Sequence, residues 1–126
     1  MRLQGLALDR RMIVLPEYRT AYIFLTKADL VEYNYRKGDT EGFVNMPLSI
    51  KGIDFTALFI EKDGFVKLSF RSKGCFSVND FANVHFNGGG HRNAAGGEHY
   101  DTLENTIGYF LKVLRSDFPQ IPESDR

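Results

Sequence analysis

The residues best suited to chemistry lie in the run Asn87-Gly88-Gly89-Gly90-His91-Arg92-Asn93-Ala94-Ala95-Gly96-Gly97. Three consecutive glycines ease positive φ and remove side chains that would keep a ligand away from the main chain. A short helix starting near His91 would aim its free N–H groups at the glycines and, with its dipole, form an anion-binding concavity. His91 and Arg92 could add side-chain donors, while Ala94, Ala95 and Gly96 would let such a helix press closely on a sheet. Glycine runs also serve as flexible connectors. Here serine is absent and small packing residues follow at once, which favours a phosphate or nucleotide site.

Arg71-Ser72 is the second candidate. A guanidinium offers a planar fork that bonds phosphate through two donors, and a serine adds a hydroxyl. Arg71 also ends an alternating row, Lys67-Ser69-Arg71, at the end of an expected strand. Alone, that row would read as an ordinary solvated strand face; beside an anion loop it gains a function.

Other chemistries find little support. His85, His91 and His99 stand at spacings that match no familiar structural zinc site, and they read as unrelated residues. Cys75 has no activating base nearby in sequence and reads as a small half-buried residue. No Gly-x-Ser-x-Gly elbow, phosphate-binding loop ending in Gly-Lys-Ser/Thr, or Gly-x-Gly-x-x-Gly fingerprint occurs. No acidic cluster suits catalytic magnesium or manganese. The chain reads as a binder without catalytic residues of its own.

The elements that would position these residues can be read in outline. Leu3, Leu6 and Ala7 fall at helical spacing. Met12 to Leu15 predicts a strand stopped by Pro16, and Ala21 to Leu25 its hairpin partner. Thr26 with Asp29 caps a helix running to about Tyr35 and ended by Gly38. Asp39 or Thr40 would cap another short helix, limited by Pro47. Phe55–Glu61 and Phe65–Arg71 flank the turn Lys62-Asp63-Gly64. Within the second of these strands Val66, Leu68 and Phe70 face a core, opposite Lys67, Ser69 and Arg71. Ser77 with Asp80 opens a short helix. Asp101 with Glu104 forms a capping box for a helix whose buried stripe is Leu103, Ile107, Phe110, Leu111 and Leu114. Together these predict one α+β (mixed α/β) domain over residues 1–118, a mixed sheet with flanking helices, and a solvated tail over residues 119–126.

Composition sets the outer limits. At 126 residues the chain can build one core. A single Cys cannot form an internal disulfide, so a cytoplasmic setting is expected. Nothing resembles a signal peptide or a membrane span, and no membrane partner is expected. Sixteen basic residues balance sixteen acidic ones. That argues against tethering to nucleic acid mainly by bulk charge, but not against a local phosphate site. The first residues already belong to a periodic segment, as in a domain cut from a longer protein; a frayed start that packs locally fits equally well.

At this point a family comes into view. Gly88-Gly89-Gly90-His91-Arg92-Asn93-Ala94-Ala95-Gly96 resembles the GGGH-x-x-AAG signature of the DHH-associated C-terminal domain, and Ser69-Phe70-Arg71-Ser72 resembles its S-x-R-S element. The likeness covers nearly the whole chain and is strongest to nanoRNases and 3′-phosphoadenosine-5′-phosphate phosphatases. It implies a partner, an N-terminal DHH domain of the same protein that holds two manganese ions, with no cofactor bound by this chain. Substrates would be short RNA or a nucleotide phosphate, and a homodimer of the full-length protein is compatible with it. Arg71 and Ser72 would hold a phosphate, Gly88, Gly89 and Gly90 would contact the terminal nucleotide, and His91 would donate to a phosphate oxygen. No Asp-His-His motif occurs in this chain, so it should be inactive alone. Related readings are a cyclic-dinucleotide phosphodiesterase, a single-strand exonuclease, an exopolyphosphatase-like protein, or an RNA-binding module like the C-terminal domain of alanyl-tRNA synthetase.

Overall fold

Six strands form one mixed sheet in the order β1-β2-β3-β4-β6-β5 in a computed structural model that describes residues 2–33 and 42–117. The strands are β1 (Met12–Leu15), β2 (Thr20–Leu25), β3 (Phe55–Glu61), β4 (Val66–Ser72), β5 (Gly89–His91) and β6 (Ala94–His99). The helices are α1 (Arg2–Asp9), α2 (Lys27–Glu32), α3 (Val78–His85) and α4 (Leu103–Asp117). A 3-10 segment, Phe43–Ser49, precedes β3. All strand pairs are antiparallel except β2 with β3, which is parallel and joined by the long crossover containing α2.

Alternation along the strands divides the core in two. On one face Tyr22, Phe55, Ala57, Phe59, Val66, Leu68, Phe70 and Ala95 pack against α3 and α4. Phe110 from α4 sits at the middle of that layer, edge-on to Phe59 at 5.1 Å and to Phe81 at 6.0 Å. Edge-to-face pairs of this kind add about 0.5–1.5 kcal/mol each beyond the area they bury. On the other face Ile23, Leu25, Leu58 and Ile60 pack against Leu3, Leu6 and Ala7 of α1, Leu30 of α2, and Phe43 and Val44. The strand residues buried in this second layer come from β2 and β3. Among the described residues neither buried cluster takes a residue from the same face of β4, β6 or β5, where the polar row of β4 stands.

Local signals account for most element ends. Thr26 and Asp29 form a reciprocal capping box at the start of α2. Asp29, buried, also receives two hydrogen bonds from Arg11, at 2.9 and 3.0 Å. That guanidinium, with the Thr26 backbone N–H, holds the Asp29 carboxyl below its ordinary pKa against the opposing effect of burial. Three expectations need correction. Pro47 lies inside the 3-10 segment and does not end it; its carbonyl accepts from the N–H of Ile50, just past the end at Ser49. The cap of α4 is Thr102, whose hydroxyl accepts from the Asn105 backbone N–H, while Asp101 accepts from the N–H of Thr102 and the Asn105 side chain. In the stripe of α4, Ile107 and Leu111 are half-buried, and Thr106 and Val113 take buried places beside Leu103, Phe110 and Leu114. The expected ends at Tyr35 and Gly38, the caps Asp39 and Thr40, and the tail beyond residue 118 lie outside the described residues. Among those described, no helix is long and apolar enough to cross a membrane.

Candidate functional site

Arg71, Ala94 and His91 form a straight row across three strands. Arg71 of β4 pairs with Ala94 of β6, and Ala94 pairs on its other side with His91 of β5. Directly paired residues share a face, so Arg71 and His91 rise from the same side of the sheet with only a methyl group between them. Their Cα atoms are about 10 Å apart, two strand spacings. One row further along, Ser69 is followed by Gly96 and Gly89, so β6 and β5 raise no side chain there.

The glycine run does not open a helix. Gly89 to His91 form edge strand β5, and Ala94 to His99 return beside it as β6. The helix expected near His91 is therefore absent, and the anion loop imagined at its N-terminus is replaced by a hairpin edge. Nor do Gly88, Gly89 or Gly90 adopt positive φ; Asn87, at φ 52°, takes the left-handed turn out of α3. The run requires glycine because neighbouring backbone comes too close. A Cβ on Gly88 would lie 1.9 Å from the Gly96 carbonyl oxygen, and one on Gly90 would lie 2.6 Å from that of Ala94. These neighbours belong to the other strand, so the cause is invisible in the local sequence.

The hairpin tip is fixed from outside. Neither Arg92 nor Asn93 adopts positive φ. The Asn93 backbone carbonyl accepts from the Ser72 N–H, and the Arg92 carbonyl accepts from the N–H of Val78 at the start of α3. The Asn93 side chain donates to the Ser72 hydroxyl at 2.9 Å. On the outer edge, the Gly90 N–H donates to Asn79 of α3 at 2.8 Å. Asn79 and Asn93 were missed in the sequence. Asn79 carries no local signal, whereas Asn93 could have been suspected from its place beside a tight turn.

Arg71 and Ser72 diverge, as adjacent strand residues must. Arg71 is half-buried on the open face, and its Nη1 donates to the carbonyl of Phe70 at 2.8 Å. Ser72 is buried on the opposite side, with its hydroxyl proton given to the Phe76 carbonyl at 2.7 Å. Lys67, Arg71 and Arg92 have no carboxylate within ion-pair distance among the described residues; the pairs present lie elsewhere.

The remaining candidates fall outside this face. His85 pairs with Asp117 at 2.6 Å, joining α3 to α4. His99 packs on Phe86 and Tyr109, and its Nδ1 is buried without a partner. Cys75 is exposed, not half-buried as its surroundings in sequence suggested, because it stands on the turn after β4. Among the described residues no three His, Cys, Asp or Glu side chains gather where they could hold a metal ion.

Comparison with known proteins adds four findings. The DHHA1 domain family matches residues 18–118. A probable bifunctional oligoribonuclease and PAP phosphatase NrnA of Streptococcus mutans is 34% identical over 86 residues, which cover 68% of this chain and 27% of that protein. The crystal structure of an exopolyphosphatase-related protein from Bacteroides fragilis superposes with a TM-score of 0.90 at 45% identity, over 94% of this chain and 34% of the other. The pGpG-specific phosphodiesterase PggH of Vibrio cholerae shares the fold, with a TM-score of 0.61 at 11% identity over 92% of this chain and 39% of the other. This chain thus spans about a third or less of the first two relatives.

Proposed function

Since this chain belongs to the DHHA1 domain family, we propose that it grips the substrate of a DHH-family phosphoesterase acting on short oligoribonucleotides or 3′-phosphoadenosine 5′-phosphate. The observation that supports this reading best is the row Arg71–Ala94–His91 on one face of the sheet. A guanidinium and an imidazole on either side of a methyl group suit one phosphate, with the glycine backbone of β5 as the floor for the nucleotide. Ser72 enters through the turn it fastens, because its proton is committed to Phe76. The likeness to NrnA over 68% of the chain supports the substrate class.

The cutting machinery would lie in an N-terminal DHH domain, whose two manganese ions would supply an activated water. The described residues of this chain do not fit those ions. Its share of the work is to bind and orient. A cytoplasmic setting agrees with a lone exposed Cys75.

Salt dependence tests the reading. A phosphorylated diribonucleotide should bind this chain with a shallow salt slope, since few counterions are released. Preference for long RNA with a steep slope would return the chain to the tRNA-binding kind of module. Manganese-dependent hydrolysis of the diribonucleotide by the chain alone would also contradict the division of labour.

A further inference from the structure

The two edges of the sheet differ in kind. At one, the Gly90 N–H of β5 is given to Asn79 of α3, so a helix side chain covers the strand. At the other, β1 consists of Met12, Ile13, Val14 and Leu15, with no charge, proline or bulge inside it to discourage pairing. The Phe24 N–H donates to the Arg11 carbonyl, which makes Arg11, Ile13 and Leu15 the members of hydrogen-bonded pairs with β2. Met12 and Val14 therefore turn their N–H and C=O groups outward, and these make no backbone bond among the described residues. Apolar side chains collect around this edge. Ile13 and Val14, on opposite faces of the strand, are 38% and 40% exposed, and Leu8 and Ile50 are exposed to the same degree. Ile50 lines one hollow with Leu8 and Met12 and a neighbouring one with Val14.

We propose that β1 is a self-association surface: two copies of this chain pair their β1 strands antiparallel about a two-fold axis at Ile13, continuing the sheet across the dimer. A two-fold contact needs a strand that complements itself, and the open backbone groups select the register. An axis at Ile13 sets Met12 against Val14 of the second copy, so each outward N–H meets an outward C=O. An axis at Val14 would set Met12 against Pro16, which has no N–H and whose carbonyl already accepts from Arg19. An axis at Met12 would set Val14 against Arg10, whose N–H is given to Leu6. The charges agree with the same register. Arg10 precedes the strand and Glu17 follows it, so the two-fold brings Arg10 of each copy beside Glu17 of the other, at both ends of an apolar seam. Asp9, one residue further out, lies in α1 and off the line of the strand. β1 and β5 are opposite ends of the sheet, so the pairing leaves the Arg71–His91 row open and does not depend on what that row binds.

The test is sedimentation equilibrium of this chain between about 10 µM and 1 mM, the range in which a small interface dissociates. A reversible monomer–dimer equilibrium is expected. Arg10→Glu and Glu17→Arg should each weaken it by about fivefold or more, and the two together should restore it. A cysteine reads the register. In a Cys75→Ser background, Ile13→Cys sets two thiols across the axis with Cα atoms roughly 4.5 Å apart, within disulfide reach, and should oxidise to a covalent dimer. Val31→Cys, exposed on α2, should stay largely uncrosslinked under the same oxidation. A chain that remains monomeric throughout the range would overturn the proposal and leave the edge to another part of the full-length protein. Dimers that Ile13→Cys fails to trap, or that both single charge changes leave unaltered, would overturn it as well.

Discussion

Arg71 and His91 sit on either side of Ala94, three strands in a row, with their side chains on one face of the sheet. The relationship is set by two registers, β4 with β6 and β6 with β5, and a one-residue slip in either would send one of the two side chains to the core. The glycines guard that registration, since only a residue without a Cβ lets β5 and β6 approach as they do.

Arg71 should act on binding and not on folding. Arg71→Ala is expected to weaken nucleotide binding by about 1.5–3 kcal/mol, the range for a hydrogen bond to a charged group. Its thermal midpoint should stay close to that of the wild type, because among the described residues it has no ion-pair partner and bonds only its neighbour's carbonyl. A large fall in midpoint, measured by calorimetry, would instead make Arg71 a structural residue.

Ser72 should behave in the opposite way. Ser72→Ala removes a hydrogen bond to the Phe76 carbonyl and one of two acceptors of the Asn93 amide, which keeps the Gly74 carbonyl. A stability loss of about 0.5–1.5 kcal/mol is expected, the net worth of an ordinary hydrogen bond. Affinity should fall with it as the hairpin tip loosens. Denaturant unfolding gives the first quantity and titration the second; a loss of affinity with full stability would show that the hydroxyl touches the ligand itself.

Glycine substitutions should separate by location. Gly88→Ala forces a Cβ against the Gly96 carbonyl oxygen. It should cost at least about 1–3 kcal/mol, as overpacking does. Gly108→Ala lies on an open part of α4 with nothing within 4 Å, and should stabilise by up to about 1 kcal/mol through helix propensity. Equal effects in unfolding experiments would mean that the crowding at Gly88 is not real.

The Arg11–Asp29 pair predicts a pH dependence. Arg11, first, and the Thr26 N–H hold the Asp29 carboxyl below its ordinary value of about 3.9. A depressed folded-state pKa contributes stability above the unfolded value, and that contribution is lost as pH falls through the folded one. Asp29→Asn should therefore be less stable than the wild type at neutral pH, and the difference should shrink in acid below about pH 4. Unfolding curves taken from pH 7 down to pH 2 would reveal this; a constant difference across that range would disprove the linkage.

Much of this was legible in the chain itself, and the exceptions have a common cause. The β3–β4 hairpin, the alternation of β4 and the caps at Thr26 and Ser77 depend on near neighbours, and all appear where expected. Gly88 to Gly97 were misread as a loop and helix because their strand pairing is dictated by contacts across β4, β6 and α3. The parallel pairing of β2 with β3 spans a long crossover and leaves no local trace. Arg71 and His91 were recognisable by residue type, but their alignment through Ala94 was not. The orientation of Ser72 followed from strand alternation all along, and only the burial of its hydroxyl makes the consequence plain.

The most direct test of the account is a titration of this chain with the 5′-phosphorylated diribonucleotide pApA, followed by the backbone amide NMR signals of every assigned residue. The account predicts saturable changes concentrated at Arg71, Gly88 to His91 and Ala94, which disappear in Arg71→Ala. Changes clustered elsewhere, such as at the exposed edge residues Ile13 and Val14, or no changes at all, would contradict it.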